Sequence, residues 1–146
     1  MILSHYRVAY ALHRTDHVMD LIFDAALRPV GITVAQARVL LHLDRYPTAT
    51  MAELSRLASV TPQTMHRLVV GLERREIVQR QPLDDDKKAL KVALTEKGAE
   101  VLRQAEVVLK KEQDPVLEHF DLAELDLFLD FLERFEQVYS SRQGVA

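Results

Sequence analysis

Gln63, Thr64, His66 and Arg67 stand within one helical turn of each other, directly after Thr61-Pro62. An amide, a hydroxyl, an imidazole and a guanidinium at that spacing present hydrogen-bonding groups along one side of a helix. Gln63 can pair with an adenine edge and Arg67 with guanine, each contributing about 1–3 kcal/mol of discrimination between bases. Val70, read as outward on the same helix, can touch a thymine methyl. The same residues on an isolated amphipathic helix would be ordinary solvated positions, so the reading depends on what surrounds them. Thr61 and Arg74 bracket the stretch and join it as candidate DNA contacts. Lys87, Lys88 and Lys91 follow on a polar turn and the strand after it, where ammonium groups can meet phosphates or an adjacent minor groove. As point charges they suit positioning more than base readout.

Other chemistry is poorly represented. There is no cysteine, which removes disulfides, thiolate metal sites and cysteine nucleophiles. The four glycines form no phosphate-cradling loop, and no His-Glu-x-x-His or Gly-x-Ser-x-Gly occurs, so no enzyme is expected and no cofactor. His13 and His17 sit at i, i+4, near Asp16 and Asp20, but the pair lacks a third ligand on its face, and no metal site is read there. The row Asp16, Asp20, Asp24 reads as a solvated helix face.

The elements that must position these residues follow from pattern. Ser4 to about Leu27 holds no Pro or Gly, and Tyr6, Tyr10, His13, His17 and Leu21 recur along one stripe of a long helix. Pro29 and Gly31 end it. Thr33 caps a second helix through Asp44, apolar enough to be buried. Thr50-Met51-Ala52-Glu53 has capping-box spacing and opens a short helix to about Ala58. After a tight connection at Ser59-Val60, Thr61-Pro62 supplies an N-cap and a first helical residue, where proline's missing N–H is harmless. Met65, Leu68, Val69 and Leu72 then face inward. Ile77–Gln81 and Leu90–Thr95 read as two strands around a polar hairpin tip. Thr95 caps a helix to around His119, and Asp121 and Glu124 open the last one. A short helix-turn-helix followed by a basic hairpin is a winged helix-turn-helix, in a mainly α chain.

Charge is divided along the chain. Residues 54–91 carry eight Lys/Arg against five acids, while residues 112–136 carry nine acids against Arg134 alone. One end can face phosphates while the other repels them, despite a net charge of −3. The last helix carries Leu122, Leu125, Leu127, Phe128, Leu129, Phe131, Leu132, Phe135 and Val138, more apolar surface than one stripe needs. A symmetric dimer would cover the surplus. With no signal-peptide h-region and no run of 18 apolar residues, a cytoplasmic protein without a membrane partner is expected.

At the hairpin the chain resembles the multiple antibiotic resistance regulator (MarR) family of bacterial transcription factors. The family carries Asp-x-Arg, five residues, then Leu-Thr; here the run is Asp86-Lys87-Lys88-Ala89-Leu90-Lys91-Val92-Ala93-Leu94-Thr95-Glu96-Lys97-Gly98. Lys88 stands where Arg is usual. Leu68–Arg75 is similar to the family's recognition-helix end, with Val70 for a common Asp and Glu76 for a common Gly, and Ser59 occupies the usual Gly of the turn. The resemblance implies one domain over 1–146, with dimerisation helices at 1–29 and 105–146 and a winged helix-turn-helix at 33–104. It implies a homodimeric regulator, by family default a repressor, on a palindromic operator in double-stranded DNA, with Asp86 shaping the wing. It also implies a small aromatic carboxylate effector, for which Tyr10, His13, Arg14, His17, Arg38 and His42 are the candidates. Arg or protonated His would hold the carboxylate while Tyr stacks on the ring. Interfacial His and Tyr with satisfied hydrogen bonds would produce the same pattern. The other class of function is a winged-helix module for protein–protein contact or DNA architecture, without a ligand.

Overall fold

The computed structural model describes residues 2–83 and 90–142, with side chains from residue 6 onward. Its elements are α1 Ile2–Leu27, a 3-10 turn Arg28–Val30, α2 Val34–Arg45, α3 Met51–Leu57, α4 Pro62–Glu73, β1 Val78–Pro82, β2 Leu90–Leu94, α5 Glu96–Leu117 and α6 Leu122–Arg142. This is the mainly α winged helix-turn-helix order expected from the sequence.

The helix starts lie where the caps place them. Thr33 and Gln36 close a reciprocal capping box on α2, and Thr50 and Glu53 close another on α3. Thr61 accepts from the Thr64 amide at the start of α4, with Pro62 in the first turn. Thr95 accepts from the Gly98 amide at 2.9 Å and donates its own hydroxyl to the Glu76 carbonyl at 2.6 Å. At α6, Asp121 and Glu124 exchange bonds with each other's backbone amides.

The chain divides into two compact units, Met1–Leu109 and Lys110–Ala146. In the first, Leu40, Leu43, Leu54, Met65, Val69, Leu72, Ile77 and Val92 are fully buried, with Leu27 closing the end of α1 and Leu102 and Ala105 contributed by α5. β1 and β2 pair antiparallel from Val78↔Leu94 to Pro82↔Leu90. The hairpin is also tied to the start of α3, because Thr50 bridges Lys91 and the Val92 amide donates to the Ala49 carbonyl at 3.1 Å. In the second unit α6 buries none of its residues, although Leu122, Leu127, Phe128, Leu129, Phe131, Phe135 and Val138 lie along it.

Two non-glycine residues take left-handed backbone: Ser59 at φ 51° and Glu76 at φ 58°. They are the two positions where the family usually places glycine. Glycine does appear at the α1–α2 elbow, where Gly31 has φ 80°. The Gly31 carbonyl accepts a hydrogen bond from the Arg75 guanidinium, which reaches back from just beyond α4.

One expectation is corrected in part. Asp16, Asp20 and Asp24 are a face of α1 that stays exposed at 16 and 24, as expected, but it is also the seam with α2. Asp20 takes two hydrogen bonds from Arg38, the shorter at 2.6 Å, and Asp16 lies 3.5 Å from the same guanidinium. Asp24 accepts from the Val34 amide at 2.6 Å, so a side chain of α1 helps cap α2. Spacing along α1 places the acids in one row, but the partners lie on another helix.

Candidate nucleic-acid interface

The first turns of α4 are built by their cap. Thr61 holds the Thr64 amide, and the two threonine hydroxyls bond at 2.9 Å. This leaves Thr64 half-buried, with its polar atom engaged within the helix start. Gln63, His66 and Arg67 are exposed on successive turns, and none has a hydrogen-bond or ion-pair partner among the described residues. Val70 is half-buried rather than outward, as is the neighbouring Gly71, which faces Gln36 of α2. Arg74 closes the C-terminal end of α4, and its side chain is exposed.

The wing is braced against the same helix. Arg80 of β1 pairs with Glu73 of α4 at 3.1 Å. Lys91 is half-buried in β2 opposite Gln81. Asp86, Lys87 and Lys88 lie outside the described residues. Arg56 on α3, whose spacing carries no readout signal of its own, is exposed on the helix preceding the turn. Among described residues the exposed, uncommitted donors of this unit therefore include Gln63, His66, Arg67, Arg74 and Arg56.

The effector candidates gather less completely. Along α1, the rings of Tyr6 and Tyr10 lie 6.3 Å apart and those of His13 and His17 6.5 Å apart. The Arg14 guanidinium sits 5.9 Å from the centre of the Tyr10 ring, within cation–π range. All five residues are exposed. Arg38 is already occupied by Asp20 and Asp16. His42, half-buried one turn along α2, has its pKa lowered by burial and then by the neighbouring Arg45 charge, which favours neutral imidazole. No group of three His, Cys, Asp or Glu among the described residues could hold a metal ion, and no described helix is long and apolar enough to cross a membrane.

Comparison with known proteins bears on the family and the fold. The family model described as MarR family matches residues 30–89. The HTH-type transcriptional repressor Rv2887 of Mycobacterium tuberculosis is 32% identical over 127 residues, covering 87% of this chain and 91% of the repressor. The crystal structure of the same mycobacterial protein in complex with salicylic acid has a TM-score of 0.69 at 31% identity, covering 87% of this chain and 94% of that one. The repressor CouR of Rhodococcus jostii RHA1, bound to a 23-mer DNA duplex, has a TM-score of 0.80 at 26% identity, covering 88% and 91%.

Proposed function

The chain belongs to the MarR family, and from that premise we propose a homodimeric repressor whose α4 reads operator bases through Gln63, His66 and Arg67. The observation that carries this reading is their combination of exposure, shared helix face and absence of internal partners among the described residues. A polar side chain held free on a rigidly capped helix has its hydrogen bonds to give to DNA. Thr64 acts through the cap, and Thr61 holds the first turn in register. Arg74 and Arg56 serve phosphates, as do Lys87, Lys88 and Lys91 of the wing, while Asp86 shapes the hairpin.

Dimerisation supplies the second half-site. α1 from Tyr6 to Met19 has exposed residues on every side, interrupted only by half-buried Leu12. A helix that bare needs a partner surface to persist. The apolar residues of α6 make the same demand. Two copies joined through such helices would set their recognition helices about 34–36 Å apart, one turn of DNA.

A small aromatic carboxylate is the proposed effector, supported by the salicylate complex of the mycobacterial relative. Arg14 is the first choice to hold the carboxylate, since it has no acidic partner among the described residues and already lies over Tyr10. Arg38 would first have to leave Asp20. His13, His17 and His42 complete the set.

Titration of the purified protein onto pooled genomic fragments at two salt concentrations tests the DNA reading. Selective binding to a palindrome, with affinity falling steeply as salt rises, is expected. Binding that ignores sequence would favour an architectural role, and binding to a protein without salt dependence would favour a protein–protein module. Calorimetry with salicylate tests the effector; no heat and no release of operator would remove it.

A further inference from the structure

We propose that the Asp20–Arg38 pair, flanked by Asp16 and by the Asp24 cap, is an electrostatic latch that sets the angle of α1 to the winged unit and thereby operator affinity. This rests on the dimeric regulator reading for its DNA readout, but not on the effector.

Three polar contacts cross from α1 to α2 along one seam: Asp24 to the Val34 amide at 2.6 Å, Asp20 to Arg38 at 2.6 Å, and Asp16 to the same guanidinium at 3.5 Å. Apolar attachment of α1 is confined to its last turns, where Leu27 is buried and Phe23 packs on the core. Beyond Asp20, toward the N-terminus, the described side chains of the helix are exposed apart from half-buried Leu12. The latch is thus the outermost tie between α1 and α2 before the stretch proposed to meet the second copy. Both partners remain partly open to water, with side-chain exposures of 45% for Arg38 and 30% for Asp20. Such a pair adds little to global stability, yet its forked geometry fixes orientation.

Leverage magnifies what the pair controls. About 27 Å of helix runs from Asp20 to the start of α1, at about 1.5 Å per residue. A rotation of about 10° at the seam would move that end by about 5 Å, more than the base-pair rise of about 3.4 Å. The elbow beside the seam is held from the other side by α4's neighbour Arg75, whose guanidinium bonds the Gly31 carbonyl. Arg75 also accepts Lys97 of α5 on its own carbonyl at 2.6 Å. A change in the α1–α2 angle therefore bears on Arg75, two residues beyond the end of α4.

The test is a charge-swap cycle on the full-length protein: Asp20→Arg, Arg38→Asp and the double variant, with Asp20→Asn as the mild form. The operator fragment is first selected with the wild type, so that absence of any operator is recognised as failure of the regulator reading before a variant is made. Amide hydrogen exchange without DNA is measured beside operator affinity. Single variants are expected to speed exchange at residues 16–38 and weaken operator binding about five- to tenfold, with the double variant recovering both. The Asn variant should show the same effects at smaller amplitude while melting near the wild type. Wild-type affinity in the folded single variants would overturn the proposal. So would a folded double variant that recovers neither exchange nor affinity.

Discussion

Ser59 and Glu76 hold backbone conformations that a side chain disfavours by roughly 1–2 kcal/mol. Both persist because neighbours hold the turn: the Ser59 amide donates to the Arg56 carbonyl at 3.1 Å, and the Glu76 carbonyl accepts the Thr95 hydroxyl at 2.6 Å. Ser59→Gly and Glu76→Gly should each stabilise the fold by about 0.5–1 kcal/mol after allowing for glycine's greater unfolded freedom. A rise of a few degrees in thermal midpoint would register it; unchanged or lower midpoints would show that the turns carry no strain. Gly98 presents the opposite case. A Cβ there would fall on the Ile77 carbonyl oxygen, a backbone atom with no room to retreat. Gly98→Ala should therefore destabilise by about 2–4 kcal/mol, read as a large loss in denaturant midpoint.

At the scale of elements, the starts of α2 to α6 are specified by local caps, and Thr61 holds the start of α4, the helix proposed to read DNA. Removing its hydroxyl frees both the Thr64 amide and the Thr64 hydroxyl, fraying the turn that carries Gln63. Thr61→Ala should lower stability by about 1 kcal/mol and weaken operator binding severalfold, whereas Thr61→Ser should preserve both. Equal operator affinity in the Ala variant would show that α4 is held by its packing alone. The far end of α4 is secured differently, by the ion pair of Glu73 with Arg80 of the wing, which ties the helix to the hairpin.

For the molecule as a whole, charge and apolar surface are segregated. The basic stretch lies in the winged unit, while residues 112–136 carry nine acids around an apolar helix with no buried residue. Phe128 and Phe131 are 52% and 46% exposed in the single chain, so burying the remaining half of each in a dimer would be worth about 0.8–1.5 kcal/mol apiece. Phe128→Asp with Phe131→Asp should give monomers in analytical ultracentrifugation and abolish tight operator binding while leaving the helix-turn-helix folded. A double variant that remains dimeric would place the interface elsewhere.

The amino-acid sequence by itself determined the elements and their order. Caps act over three residues, helical and strand periods over a few more, and proline and glycine over their own dihedrals, so all of these are written locally. Exposure of Gln63, His66 and Arg67 followed from the same periodicity. What only the tertiary structure decided are pairings across long stretches of chain: Val34 with Asp24, Arg38 with Asp20, Lys97 with Arg75 and the Arg75 guanidinium with Gly31. An aspartate row has the same spacing whether water or an arginine on another helix faces it. The half-burial of Val70 and the engagement of Arg38 likewise depend on which helix packs alongside, because desolvation and ion pairing are properties of neighbours in space, and neighbours exist only once the chain has folded.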